Sequence, residues 1–213
     1  MARLRVTEIF YSLQGESTRS GIPTVFIRLT GCPLRCRYCD TEYAFGGGAW
    51  MELEEILARV AAAGGDYVTL TGGEPLAQEG CHDLLKALCD AGYLVSLETS
   101  GALEVAGVDP RVVKVLDLKT PGSGEEGRNF YANLDQLRPC DELKFVLCDE
   151  PDYRWAVAKI AEHRLVGRCE LLFSPAQGRL EPRTLAAWIL RDRLPVRFQL
   201  QLHKVLWGSE RGR

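Results

Sequence analysis

The 213-residue chain has no apolar run long enough to cross a bilayer, no block of basic residues, no repeat period and no low-complexity tract. The first absence excludes a helical membrane span. The second, with a formal net charge of −3, removes the electrostatic footprint of a nucleic-acid or membrane-surface binder, so neither partner is expected. Met1–Arg5 enters a strand-like segment without the apolar core of a signal peptide, and a cytoplasmic address with reduced thiols follows as the expectation. No linker divides residues 1–213, which read as one domain with room for a sizeable core.

The redox setting matters because the chain carries eight cysteines. Cys81, Cys89, Cys140, Cys148 and Cys169 are scattered through apolar segments and read as small buried hydrophobes. The others stand together in Cys32-Pro33-Leu34-Arg35-Cys36-Arg37-Tyr38-Cys39, a C-x3-C-x2-C spacing within a loop spanning residues 30–43. Three thiolates on one short loop can hold three corners of a [4Fe–4S] cube, leaving the fourth iron open to a small molecule. Structural zinc competes, but it normally takes a closed set of four ligands. The histidines, His82, His163 and His203, all lie far along the chain. Chance clustering of reduced thiols is the remaining alternative.

Around this loop, strand-like and helical patterns alternate. Strands are predicted at 24–29, 67–71, 94–98, 112–118, 142–147, 170–174 and 197–202. Helices are predicted at 52–63, near 82–91, at 152–163 and near 182–191. In the first helix Leu53, Ile56, Leu57 and Val60 share a face, and Gly64-Gly65 provides the stop. Residues 120–128 read as a loop. This β-α alternation, repeated about six times, predicts an α/β fold whose parallel sheet is wrapped by helices, as an open barrel or a doubly wound sheet. Polar residues collect at the strands' C-terminal ends, where parallel α/β folds place their active sites. The cysteine loop, Gly72-Gly73-Glu74-Pro75, Glu98-Thr99-Ser100, Asp117-Leu118-Lys119, Ser174-Pro175 and Gln199–His203 all obey this rule.

The cysteine loop, Tyr38 just before its last cysteine, and Gly72-Gly73-Glu74-Pro75 at a strand end resemble the radical S-adenosylmethionine (SAM) superfamily. The resemblance covers nearly the whole chain. It implies a partial, incomplete TIM-like β/α barrel of the radical SAM type, with outer helices. It also implies a [4Fe–4S] cluster held by Cys32, Cys36 and Cys39, with SAM on the open iron. An electron from the cluster then splits SAM to a 5′-deoxyadenosyl radical.

Glu8-Ile9-Phe10-Tyr11-Ser12-Leu13-Gln14-Gly15-Glu16-Ser17, Arg28, Cys39-Asp40-Thr41 and Gln201-Leu202-His203-Lys204 resemble more narrowly the 7-carboxy-7-deazaguanine synthase family. That resemblance implies a homodimeric lyase of queuosine and 7-deazapurine biosynthesis, using Mg²⁺ and fed by a reductant protein such as flavodoxin or ferredoxin. It would contract 6-carboxy-5,6,7,8-tetrahydropterin to 7-carboxy-7-deazaguanine with loss of ammonia, beginning with hydrogen abstraction at C6. It places Leu13, Gln14, Gly15, Arg28, Thr71, Glu98 and His203 at the pterin, with Arg28 on the carboxylate. Thr41 falls at the Mg²⁺ position, and Tyr38, Gly73 and Lys119 at SAM. The chain departs from the pattern at Asp117, where some members carry serine. A glycyl-radical activase would share the cysteine loop and the Gly-Gly-Glu-Pro turn but not the Gln14-Gly15-Glu16 stretch. A non-catalytic iron–sulfur or zinc module would leave the strand-end polar groups unexplained.

Overall fold

The computed structural model of the protein describes residues 3–212. Met1 and Ala2, which opened the N-terminal reading, and Arg213 lie outside the described residues. One sheet of nine strands runs through the chain in the order β3-β1-β2-β4-β5-β6-β7-β8-β9. Its strands are β1 (Arg3–Leu13), β2 (Pro23–Leu29), β3 (Ala49–Glu52), β4 (Tyr67–Gly72), β5 (Leu94–Thr99), β6 (Val113–Asp117), β7 (Glu142–Leu147), β8 (Glu170–Pro175) and β9 (Arg197–Phe198). The helices are α1 (Leu53–Ala63), α2 (Cys81–Asp90), α3 (Glu150–Glu162), α4 (Pro182–Asp192) and α5 (Leu202–Trp207).

From β2 to β9 every neighbour is parallel, in chain order. A doubly wound sheet reverses its order at a switch point; this one does not, so it is singly wound in the manner of a barrel. It stays open, because its edge strands β3 and β9 do not pair with each other among the described residues.

Alternation within the strands sorts the faces. Val25, Ile27 and Leu29 of β2, Val68 and Leu70 of β4, Val95 and Leu97 of β5, and Leu143, Phe145 and Leu147 of β7 join the hydrophobic core beneath the helices. The intervening residues are largely polar: Thr24, Arg28, Thr69, Thr71, Ser96, Glu98, Glu142 and Lys144. A filled barrel would carry apolar side chains on both faces. Here the inner face is built to meet something polar.

Several expectations are corrected. The repeat is less regular than six β-α units, since no α-helix joins β5 to β6, and only short 3₁₀ turns lie between β6 and β7. Two antiparallel strands, β1 and β3, extend the sheet before β2. The strand expected at 197–202 stops at Phe198, and α5 begins at Leu202. Long-range bonds divert that segment: Gln199 donates to the Ser17 carbonyl at 2.8 Å and the Leu202 amide to the Gly15 carbonyl at 2.8 Å. Four of the scattered cysteines are buried, but Cys140 is exposed in the turn before β7.

β1 contains a bulge between Val6 and Glu8. Leu4 and Val6 are buried in the helix-side core. The extra residue, Thr7, shifts the phase so that Glu8 pairs with Arg28 and Phe10 with Phe26, on the polar face. The turn after β1 then crosses under that face to β7, where Glu142 accepts from the Thr18 amide and hydroxyl. No helix among the described residues is long and apolar enough to cross a membrane.

Candidate active site

A cavity of about 800 Å³ opens at the C-terminal ends of the parallel strands. Its lining includes Cys32, Cys36 and Cys39 from the loop that follows β2. The three cysteines are part-buried. Desolvation pushes all three thiols up, Cys36 to about 11, so a metal bound there must displace their protons.

The loop is held from outside. The Arg35 amide donates to Glu125 at 2.5 Å, the Arg37 amide to the Ser123 carbonyl at 2.9 Å, and Arg179 to the Arg37 carbonyl at 3.0 Å. Asp152, buried at the start of α3, accepts from Thr120, Gly122 and Cys148, fixing the segment that carries Ser123.

Among the described residues, no three His, Cys, Asp or Glu side chains are gathered closely enough to share one metal ion. A cube asks for something else, with each thiolate on its own iron. Three soft donors on a braced loop, facing a cavity whose described lining holds no fourth cysteine, fit such a cluster.

Behind the loop, the Gly72-Gly73-Glu74-Pro75 turn packs backbone to backbone. The Glu74 amide donates to the Gly31 carbonyl at 2.8 Å, and a Cβ at Gly73 would strike that carbonyl and the Cys32 side chain. Glycine is required here by close approach. Glu74 is 0% exposed. Its carboxylate accepts from the Leu76 amide at 3.0 Å, the Thr99 hydroxyl at 3.0 Å, and the Ser100 amide and hydroxyl at 2.7 and 2.5 Å. The turns ending β4 and β5 are thereby locked together beside the cysteines.

Facing them, Lys119 donates to Asp117 at 2.8 Å, and Lys144 pairs with Glu16 at 2.6 Å and approaches Asp117 at 3.8 Å. Burial opposes the charge on both lysines, but neighbouring anions outweigh it: Asp117 raises the Lys119 pKa, and Glu16 with Asp117 raises that of Lys144. Burial likewise opposes the Glu16 carboxylate, and Lys144 outweighs it. Among the described residues, the second Asp117 oxygen is buried without a hydrogen-bond partner, as is the Tyr38 hydroxyl. Both residues line the cavity, leaving these polar atoms available to a ligand.

At the other end, Arg28 donates through Nε to Glu8 at 2.7 Å, and the Tyr43 hydroxyl donates to the same oxygen at 2.7 Å. Burial pulls the Arg28 pKa down, but Tyr43 and Glu8 outweigh it and hold the guanidinium charged. Among the described residues its terminal nitrogens have no partner. Beside it, Glu98 accepts from Thr71 at 2.9 Å and from Gln14 at 3.3 Å. The buried Gln14 amide also donates to Thr69, and its oxygen accepts the Glu16 amide. Its donors are thus occupied by protein, and it acts by fixing Glu98. Leu13, at the end of β1, also lines the cavity.

The chain's C-terminal part closes this end. His203 packs on Gly15, Gln201 bridges Glu16 at 2.7 Å and Asp40 at 3.2 Å, and Lys204 pairs with Asp40 at 2.5 Å. Thr41 donates to Asp40 at 3.0 Å, with its hydroxyl at the cavity wall. All fourteen sequence-predicted site residues therefore line one cavity. Sequence reasoning missed Glu8, Glu16, Tyr43 and Lys144. The signal for Glu8 and Glu16 was their place in the Glu8–Ser17 stretch; Tyr43 carries no local signal.

Residues 26–117 match the model of the radical SAM superfamily. A 7-carboxy-7-deazaguanine synthase of Chlorobaculum tepidum is 50% identical over 212 residues, covering 98% of this chain and 96% of its own. One of Koribacter versatilis is 44% identical, covering 97% and 98%. The crystal structure of QueE from Escherichia coli superposes with a TM-score of 0.76 over 94% of this chain and 95% of that one; at 23% identity it speaks for the fold. With the cysteine loop, the open singly wound sheet and full-length likeness in agreement, this chain belongs to the 7-carboxy-7-deazaguanine synthase family of radical SAM enzymes.

Proposed function

We propose that the protein converts 6-carboxy-5,6,7,8-tetrahydropterin to 7-carboxy-7-deazaguanine with loss of ammonia. The observation that carries this reading is the arrangement around Arg28. A half-buried, charge-locked guanidinium with terminal nitrogens unpartnered among the described residues shares one cavity with three cluster-forming thiols and the Glu98 carboxylate. That cavity is within the size range of small-molecule sites.

When bound, the cluster and SAM supply the abstraction of hydrogen from C6. The chain's own residues hold the reactants. Cys32, Cys36 and Cys39 ligate the cluster. Gly73 lets backbone approach SAM, Lys119 offers charge to it, and Tyr38 lines its adenine side. Arg28 takes the substrate carboxylate through a charge-assisted fork. Glu98, oriented by Thr71 and Gln14, accepts from the pterin amino and ring N–H groups. Leu13, Gly15 and His203 complete the wall, with Gly15 and His203 in contact. Thr41 supplies a hydroxyl oxygen to Mg²⁺, whose oxygen shell substrate oxygens would complete. Asp117, paired with Lys119, meets SAM through its second oxygen.

Residues 1–213 work as one domain around the 30–43 loop, in the cytoplasm, as a homodimer reduced by a flavodoxin- or ferredoxin-type donor. Anaerobic incubation of reconstituted protein with SAM, reductant, Mg²⁺ and the carboxytetrahydropterin tests the assignment. The deazaguanine product is expected; SAM cleavage without it would reject this substrate while leaving the superfamily intact.

A further inference from the structure

The segment after α5 also reaches the cavity. Gly208 takes φ +63°, a conformation suited to glycine, and Gly208–Gly212 contributes to the cavity wall. Arg211 comes to rest over the Tyr43 ring at 4.2 Å, and Arg28 lies over the same ring at 5.9 Å. One ring therefore organises two guanidinium groups. The carboxylate bonded in that corner, Glu8, already accepts from both Arg28 and Tyr43. Arg211 has no hydrogen bond or ion pair among the described residues.

A cation stacked on an aromatic ring is a common surface device. Two cations over one ring at a cavity wall are less common, because like charges repel unless anions join them, and Glu8 bonds Arg28 but not Arg211 among the described residues. We infer that Arg211 is a specificity residue for the proposed reaction, a second guanidinium contact that works with Arg28 on the substrate carboxylate. The inference rests on the carboxypterin assignment above. It gives the C-terminal segment a role in selecting a carboxylated pterin over one without the carboxyl group.

Binding separates this role from packing. Reconstituted protein with SAM and Mg²⁺ is titrated anaerobically with 6-carboxypterin and with pterin lacking the carboxyl, following pterin fluorescence. Arg211→Ala is expected to weaken 6-carboxypterin roughly tenfold, as loss of one charge-assisted contact should, and to leave unsubstituted pterin unchanged. Arg211→Lys should keep most of the affinity. An unchanged preference in Arg211→Ala overturns the proposal alone. Equal weakening of both pterins also overturns it, since Arg211 would then only pack the tail on Tyr43. If wild-type protein shows no preference for 6-carboxypterin, the substrate assignment falls and this role with it.

Discussion

The His203 imidazole occupies the space that a Cβ on Gly15 would need. The Leu202 amide bonds the Gly15 carbonyl at 2.8 Å, so the contact is fixed by backbone on both sides. Gly15→Ala should push His203 and α5 away from the Arg28 end of the cavity without touching the cysteines. The expected result is a KM for the carboxytetrahydropterin raised by roughly tenfold or more, with cluster content and uncoupled SAM cleavage retained. Steady-state kinetics beside iron and sulfide analysis would check it.

Removal of any one loop cysteine should cost the cluster and not the fold. The hydrophobic core lies on the other face of the sheet, under the helices, and contains none of the three. Cys36→Ala should therefore keep its far-ultraviolet circular dichroism while losing the iron–sulfur absorbance after reconstitution.

Glu74 bears on stability instead. Its buried carboxylate gathers donors from Leu76, Thr99 and Ser100, and Glu74→Ala strands them in the interior. A loss of about 3 kcal/mol is expected, measured as a lower urea midpoint. An unshifted midpoint would mean the two turns hold without it.

Desolvation lowers the His203 pKa below its usual value, against the pull of Glu16 and Asp40. The folded protein therefore binds this proton later than the unfolded chain as pH falls. The sign follows: stability from this group is complete above about 6.5 and declines as pH drops through that value toward the folded pKa. Urea midpoints compared with those of His203→Asn should reveal a shallower acid dependence in the variant over that window.

Thr41 stands at the cavity wall with its hydroxyl on Asp40. If it holds Mg²⁺, Thr41→Ala should blunt the dependence of product formation on added Mg²⁺, while Thr41→Ser keeps it. An unchanged Mg²⁺ titration in the alanine variant would remove Thr41 from the metal site.

How far the sequence could be read depended on how local each signal was. Cys32, Cys36 and Cys39 announce themselves by spacing, and Thr71, Glu98 and Lys119 by standing at strand ends. Ile56 and Val60 declare the buried face of α1, and both are buried. Gln199-Leu200-Gln201-Leu202 alternates as a strand would, yet bonds to Ser17 and Gly15, far away in sequence, bend it off the sheet. Tyr43 gives no hint because its partners, Glu8, Arg28 and Arg211, come from three separate segments. Gln14 lines the cavity as its motif led one to expect, but its bonding was not legible, since only the fold reveals that Glu98 and Thr69 take its amide hydrogens.

The extra residue at Thr7 divides β1 into two halves with different obligations. Before it, Leu4 and Val6 answer to the helices; after it, Glu8 and Phe10 answer to the cavity. Mutational tolerance should switch phase along this one strand, with even-numbered positions governed by folding upstream and by ligand chemistry downstream. Deleting Thr7 would set Val6 directly before Glu8, and plain alternation would then give the same boundary without a bulge. Glu8 would stay on the cavity face opposite Arg28, so the expected loss is the local kink and extra twist of the bulge rather than the Glu8–Arg28 pair.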